Sequence, residues 1–140
     1  MTVEIAVIGD RFMRAEAFAA AIREACGDAV ACRELDLDWP DVPMRDGRPG
    51  TPLAGLKEFL GDPDAVVAHV GEAPVLVTHL APLSADMIAR MPRLSLVGVS
   101  RGGPVNIDMQ AARARNIRVV NAPGRNATAV AASSSWSPAV

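Results

Sequence analysis

The chain has 140 residues, half of them apolar, which is enough for one domain with a buried core. Its net charge of -2, with acids and bases interspersed, gives no electrostatic basis for binding nucleic acid or an acidic membrane. Early charged residues argue against a secretory signal, and no apolar run reaches membrane-spanning length. Two cysteines and two histidines are too few for a disulfide scaffold or a structural zinc site, so we expect a cytoplasmic domain without metal.

Short apolar runs alternate with helical patterns in the first part of the chain. Val3–Ile8 predicts a strand, and apolar residues at three- and four-residue spacing predict a helix from Phe12 to Ala25. Ala29–Leu35 predicts a second strand, and segment 36–50, rich in Pro, Gly and Asp, predicts a surface loop. Pro52 is placed to start a helix whose inner face carries Leu53, Leu56, Phe59 and Leu60.

The same alternation continues further along the chain. Buried strands are predicted at Asp64–Val70, Val75–Val77, Leu94–Val99 and Ile117–Val120, while Ser84 and Asp108 are expected to cap two more helices. About five strands and about four helices indicate an α/β domain with a doubly wound parallel sheet, flavodoxin-like or Rossmann-like. In such a sheet, ligands bind at the carboxyl ends of the strands.

The segment from Gly98 to Pro104 is the most informative candidate site. Glycines after a strand let backbone amides turn toward an anion, and Arg101 adds a cation, a combination that suits a carboxylate or phosphate. The alternative is a strand-to-helix turn that needs glycine only for its dihedral angles. Neither a phosphate loop nor the dinucleotide fingerprint G-x-G-x-x-G is present in the sequence.

His79 follows a predicted strand and is placed to face the same cleft, although a lone histidine in a loop is more often solvated or structural. That structural alternative is stronger for His69, which lies within an apolar run. Ser84 and Asp86 lack the nucleophile elbow G-x-S-x-G, and helix capping accounts for both of them.

The motifs from Leu76 to Val130 resemble, in their order and spacing, the D-isomer-specific 2-hydroxyacid dehydrogenases. The resemblance rests on Leu83–Ile88, Leu96–Gly103, Asn106–Ala112, Asn116–Gly124 and Asn126–Ala131. It implies an amino-terminal substrate-binding domain of an oxidoreductase that uses NAD or NADP on a small 2-hydroxy or 2-oxo acid. The substrate-binding residues that it implies are Thr78, His79, Ser100, Arg101, Gly102 and Gly103. Many relatives carry an arginine at the position of Thr78, which leaves the role of His79 open.

The resemblance also divides the chain. Residues 1–120 are expected to form the substrate-binding domain, residues 121–131 to begin the crossover to a NAD-binding domain, and residues 132–140 to be a disordered tail. The family's catalytic arginine, histidine and acid lie beyond the cofactor fingerprint, so we expect no catalytic or cofactor-binding residue in this chain. Codons GCG-AGT-TCN for Ala132–Ser134, shifted by one nucleotide, contain the family's Glu-Phe, and this suggests a frameshift near Ala132; a natural variant tail is the alternative.

The chain alone is therefore expected to be inactive, to bind no dinucleotide, and either to be marginally stable or to self-associate through exposed apolar surface. The competing hypothesis is a stand-alone module that binds carboxylates through Arg101–Gly103. A receiver-like signalling domain is a third hypothesis, but Asp10 lacks the acidic neighbours that such a site needs.

Overall fold

The protein forms a five-stranded, wholly parallel sheet flanked by helices, as seen in a computed structural model that describes residues 2–37, 46–47, 50–51 and 53–121. The strands are β1 Val3–Gly9, β2 Val30–Asp36, β3 Val75–Thr78, β4 Leu96–Val99 and β5 Arg118–Asn121. The helices are α1 Ala15–Cys26, α2 Pro63–Val70, α3 Ala85–Ala89 and α4 Met109–Ala114. The predicted fold class is confirmed, whereas the predicted tail at 132–140 and most of the predicted loop 36–50 lie outside the described residues.

The strand order is β2-β1-β3-β4-β5, so the chain reverses its direction of travel across the sheet between β1 and β3. In open parallel sheets of this kind, such a reversal opens a crevice at the carboxyl ends of the two strands. Asp10 follows β1 and His79 follows β3, which places both residues at this reversal.

Two apolar clusters cover the two faces of the sheet, because successive side chains of a strand point in opposite directions. The cluster under α1 contains Ile5, Val7, Ala15, Phe18, Ile22, Val75 and Val77. The larger cluster, under α2, α3 and α4, includes Ala6, Ile8, Val66, Val70, Leu76, Met87, Ile88, Val97, Val99 and Ala112. Strands β1 and β3 contribute to both clusters, which accounts for their continuous apolar sequences.

The prediction of a strand at Asp64–Val70 was wrong, because these residues belong to helix α2. The Asp62 side chain accepts a hydrogen bond from Ala65 N at 3.0 Å, and Pro63 occupies the first turn, where its missing N–H costs nothing. Val66 and Val70, four residues apart, are buried on one face. Capping and packing outweigh the β-propensity of the valines here, and His69 lies on this helix and not in a strand.

The helix predicted from Pro52 is not present in the described residues, although its apolar face is buried. Pro52 itself lies outside the described residues, and the following residues form turns. Gly55 has φ of 87° and Glu58 has φ of 51°, values that interrupt a right-handed helix. Among the predicted inner residues, Leu56, Phe59 and Leu60 are buried and Leu53 is partly buried.

The two predicted caps are confirmed. The Ser84 hydroxyl accepts from Met87 N at 3.2 Å at the start of α3, and the Asp108 carboxylate accepts from Ala111 N at 2.9 Å at the start of α4. Asp86 is an exposed residue in the first turn of α3. Within the described ranges, no helix has the length and apolar character needed to cross a membrane.

Large apolar side chains that are exposed are few in the described part of the chain: Val3, Phe12 and Val105. Leu96 and Val120 lie on the α1 face of the sheet and are partly buried. The expected self-association through apolar surface therefore stays a prediction.

Candidate functional site

Polar residues gather where the strands end. Asp10, Thr78, Ser100 and Asn121 lie at or just after the carboxyl ends of β1, β3, β4 and β5. Asp10, Thr78 and Ser100 are buried, with exposed fractions of 5% or less. Polar groups are costly to bury without a partner, so the hydrogen bonds of these side chains show what each of them does.

Thr78 uses its hydroxyl within the fold. Its Oγ1 donates to the carbonyl of Ile8 at 2.9 Å and accepts from Ala81 N at 3.3 Å. The single hydroxyl hydrogen is thereby committed to the β1 backbone. The residue predicted to bind substrate thus joins β1 to the loop after β3, and a ligand contact at Thr78 stays a prediction.

Asp10 and His79 form a pair across the reversal between β1 and β3. The Asp10 side chain is wholly buried, and its Oδ2 lies 2.9 Å from Nδ1 of His79, whose side chain is 19% exposed. Its other oxygen accepts from the N–H groups of Phe12 and Met13, at 2.8 and 3.0 Å. Sequence reasoning treated Asp10 as isolated; the available signal was a charged residue directly after an apolar strand.

The hydrogen bonds to Asp10 keep it ionised despite burial. Burial by itself would raise the pKa of Asp10, but the bonds from His79 and from the Met13 and Phe12 N–H groups, together with attraction to a charged imidazole, hold this pKa below its ordinary value of 3.8. A buried, ionised carboxylate therefore lies behind the imidazole ring of His79 and accepts a hydrogen bond from its Nδ1–H.

The loop after β4 brings together the remaining predicted residues, Ser100 to Gly103. In the described part of the chain, no acceptor is found for the N–H groups of Arg101, Gly102 and Gly103, while Ser100 N donates to the Thr78 carbonyl at 3.0 Å. The Ser100 hydroxyl is buried and has no hydrogen-bond partner there. A buried hydroxyl without a hydrogen-bond partner lowers the free energy of unfolding by about 1–3 kcal/mol.

Gly103 has no conformational or packing reason to be glycine in this structure. Its φ is not in the left-handed region, and a Cβ atom built on it meets nothing within 4 Å. The structural alternative for this segment, a strand-to-helix turn that needs glycine for its dihedral angles, therefore does not explain the glycine at position 103. Open space beside donating amides is compatible with the approach of an anion.

Arg101 was expected to offer its positive charge to a ligand, but its guanidinium is engaged within the fold. Its guanidinium donates to the carbonyl of Glu58 at 2.9 Å and lies 3.5 Å from the Glu58 carboxylate. It also donates to Oδ1 of Asn106 at 3.4 Å. With its side chain 14% exposed, Arg101 fastens the turn around Glu58 to the loop.

Two asparagines that sequence reasoning did not select hold this loop in place. Asn106 is wholly buried, and its amide donates to the carbonyls of Ala81 at 2.8 Å and His79 at 3.4 Å. The Asn121 side chain donates to the carbonyl of Gly102 at 2.7 Å. Short polar residues near apolar strands were the signal in the sequence, but their partners depend on the fold.

The described residues do not fit a dinucleotide at the first strand-to-helix turn. A pyrophosphate binds there through free amides at the helix amino terminus and glycines that admit it closely. Here the Asp10 carboxylate takes the Phe12 and Met13 amides, and Asp36 Oδ1 accepts from Ala15 N at 2.7 Å. A Cβ at Gly9 would overlap the Ala15 backbone N, so the space at this turn is filled by the chain itself.

The described residues also contain no candidate metal site, because no three His, Cys, Asp or Glu residues among them are placed to hold an ion together. The sheet order defines an open, parallel α/β domain, a class in which ligands bind at the carboxyl ends of the strands where the strand order reverses.

Residues 57–134, more than half of the chain, match the family model for the D-isomer specific 2-hydroxyacid dehydrogenase catalytic domain. The chain belongs to this family.

Relatives of known name agree with this assignment. The chain is 50% identical over 56 residues to YoaD of Bacillus subtilis, assigned by name to the 2-hydroxyacid dehydrogenases, covering 40% of this chain and 16% of YoaD. It is 39% identical over 66 residues to D-3-phosphoglycerate dehydrogenase of Mycobacterium tuberculosis, covering 46% of this chain and 12% of that protein. The chain thus spans less than a third of the length of such relatives.

Solved structures show the same fold. The 3-phosphoglycerate dehydrogenase of Entamoeba histolytica, solved with NAD+ bound, superposes with a TM-score of 0.57 at 16% identity over 86% of this chain and 33% of that one. D-lactate dehydrogenase of Escherichia coli gives a TM-score of 0.54 at 12% identity over 87% of this chain and 31% of that one.

Proposed function

We propose that this chain supplies the substrate-binding part of an NAD- or NADP-dependent oxidoreductase that interconverts a small D-2-hydroxy acid and its 2-oxo acid. The observation that carries the proposal is the loop Arg101–Gly103, whose backbone amides have no acceptor among the described residues and whose Gly103 borders open space. Family membership gives the ligand class, and relatives named for phosphoglycerate, hydroxypyruvate and lactate all act on small carboxylic acids.

In this proposal, the substrate carboxylate lies over the loop and accepts hydrogen bonds from the amides of Gly102 and Gly103. Bonds from uncharged donors to a charged acceptor are short and about twice as strong as neutral ones. The buried hydroxyl of Ser100 lies at the base of the same loop and gains a partner if it rotates toward the ligand. Arg101 and Asn121 act as positioning residues that fix the loop through Glu58 and Gly102.

The 140 residues by themselves are proposed to bind no dinucleotide and to transfer no hydride. The first strand-to-helix turn is closed by Asp10, and the sequence contains no dinucleotide fingerprint. NAD or NADP would supply or accept the hydride in the proposed reaction. The two free thiols, Cys26 and Cys32, are compatible with the cytoplasmic setting that we propose.

An NMR titration of the isotope-labelled chain with D-lactate tests the carboxylate site. We expect the amide signals of Arg101, Gly102 and Gly103 to shift with a dissociation constant on the order of 1 mM, about -4 kcal/mol, because the loop offers a small carboxylate mainly backbone amides while the Arg101 guanidinium is already paired with Glu58. Arg113→Ala, an exposed residue of α4, is the control and should bind alike. If the loop amides do not move while other regions do, the proposed site is wrong.

The alternative function, a stand-alone carboxylate-binding module, is favoured by one observation: the Asp10 carboxylate takes the amides of the first strand-to-helix turn, where a dinucleotide would otherwise bind. A module would bind the hydroxy acid at micromolar concentration without a dinucleotide, about 4 kcal/mol more tightly than the fragment. The same titration separates the two functions by affinity.

A further inference from the structure

Two free thiols, Cys26 and Cys32, lie away from the proposed site, toward the amino-terminal end of β2. Cys26 is the last residue of α1, and Cys32 lies near the start of β2. Both side chains are half-buried and pack against the apolar cluster under α1. Only residues 27–31 separate the two thiols along the chain, and the turn Gly27–Ala29 reverses its direction between them.

Helix α1 and strand β2 run antiparallel and are joined by side-chain contacts. The first residue of α1 meets the last residue of β2, since Ala15 N donates to Asp36 Oδ1 at 2.7 Å. Farther along α1, the guanidinium of Arg23 lies 3.4 Å from the Glu34 carboxylate. These two contacts fix the alignment of the helix on the strand.

This alignment places the two thiols opposite each other. Cys26 follows Arg23 by three residues, on the same side of the helix and about 4.5 Å further along it. Cys32 precedes Glu34 by two residues, on the same face of the strand and about 6.6 Å further back. Burial raises the pKa of the Cys32 thiol, and negative charges on Glu34 and Cys26 raise it too, so Cys26 lies within electrostatic range of Cys32.

We propose that Cys26 and Cys32 form a reversible disulfide, a redox-sensitive tie between the end of α1 and the edge strand β2. The oxidant is a small disulfide of the glutathione class. The pair lies at the opposite end of β2 from Asp36 and so from the carboxyl ends of the strands. The inference is therefore independent of the proposed substrate site.

The disulfide forms through two thiol–disulfide exchanges. The Cys26 thiolate first attacks one sulfur of oxidised glutathione, whose S–S bond breaks and releases one glutathione thiol. The Cys32 thiolate then attacks Cys26 Sγ in this mixed disulfide and releases the second glutathione thiol. The protons of the two cysteines end on the released thiols, so the chain is oxidised by two electrons and the small disulfide is reduced.

Cys26 is the thiol that reacts first. It borders Gly27, where a Cβ atom would meet nothing within 4 Å, so a small disulfide has room to approach. The raised pKa of Cys32 lowers its thiolate fraction and suits it to the second, intramolecular step.

The tie acts on a strand that is held on one side only, because β2 is at the edge of the sheet and pairs with β1 alone. A disulfide closes the segment 26–32 and restricts the unfolded chain. We expect the midpoint of thermal unfolding to rise by roughly 5 °C in the oxidised chain and to return to its original value after reduction with dithiothreitol.

The test equilibrates the full chain in buffers of reduced and oxidised glutathione, with and without denaturing urea, and counts free thiols by alkylation and mass spectrometry. Trypsin cleaves after Arg23 and Arg33, so both cysteines fall in one peptide, residues 24–33. In the oxidised chain this peptide should lack two hydrogens and carry no alkyl label. A disulfide that stabilises the fold is itself favoured by folding, so the ratio of disulfide to dithiol should be on the order of tenfold higher without urea.

Cys26→Ser and Cys32→Ser are matched controls, because each keeps one thiol and changes a single atom of the other side chain. Each variant should retain glutathione as a mixed disulfide that no second thiol resolves, and neither should gain thermal stability on oxidation. Three results would overturn the proposal: glutathione retained on the folded wild type without an internal disulfide, a disulfide between two copies of the chain, or a ratio of disulfide to dithiol that is equal or higher in urea.

Discussion

Replacing Gly103 with alanine separates the folding of the loop after β4 from its proposed use as an anion site. A Cβ at Gly103 meets nothing within 4 Å, and the backbone φ is one that alanine adopts without strain. Alanine also restricts the unfolded chain, which stabilises a protein by about 0.4–1 kcal/mol where the native conformation is compatible. The free energy of unfolding should therefore stay equal or rise by that amount.

Binding should respond in the opposite direction. The new methyl group occupies the space beside the amides of Gly102 and Gly103, where the carboxylate is proposed to lie. Losing one hydrogen bond to a charged group costs about 1.5–3 kcal/mol, which is roughly a tenfold to hundredfold loss of affinity. Urea unfolding followed by circular dichroism measures the first effect, and calorimetry with D-lactate measures the second.

Gly9→Ala is the matched contrast, since its Cβ would overlap the backbone of Ala15 and should destabilise the fold severely. Two results would refute the reasoning on Gly103. Unchanged affinity in Gly103→Ala would show that the ligand does not approach this loop. A loss of stability above about 1 kcal/mol would show that the loop needs glycine for its own structure.

Three further expectations concern the pair at the reversal and the supports of the fold. Asp10→Ala removes the acceptor of three hydrogen bonds and should lower the free energy of unfolding by about 2–4 kcal/mol in urea titrations; a loss below about 1 kcal/mol would contradict the pair's structural role. Folding lowers the pKa of Asp10, so the ionised carboxylate adds to the free energy of unfolding above the unfolded pKa of 3.8, and this contribution is lost as the pH falls through the folded pKa. The wild type should therefore be more stable than Asp10→Asn at neutral pH, and this difference should shrink below about pH 4. A difference that stays constant down to acid pH would contradict this. Asp108→Ala removes the cap of α4 and should cost about 1 kcal/mol in thermal unfolding, whereas Arg113→Ala in the same helix should cost less than half of that.

The parallel sheet could be predicted mainly from its central strands β1, β3 and β4, which are mostly buried and read as apolar runs. The caps at Ser84 and Asp108 were also readable, since a short polar residue before a helical pattern has one common use. The run Asp64–Val70 misled because valines suit a strand as well as a buried helix stripe. The Asp62–Pro63 pair at its start was the local sign of a helix.

The site could be predicted only in part, because its residues find their partners across long stretches of chain. The loop Ser100–Gly103 was visible as glycines after a strand. Asp10 and His79 are 69 residues apart, and no local pattern indicates that they meet. Arg101 is committed to Glu58, 43 residues away, so its role in holding the loop depends on the fold and not on the motif.

A crystal structure of the chain with a bound 2-hydroxy acid such as D-lactate tests the central claim most directly. We expect the ligand carboxylate to accept hydrogen bonds of about 2.7–3.1 Å from the N–H groups of Gly102 and Gly103. A carboxylate bound elsewhere, with these amides facing only water, would contradict the assignment of this loop as the substrate site.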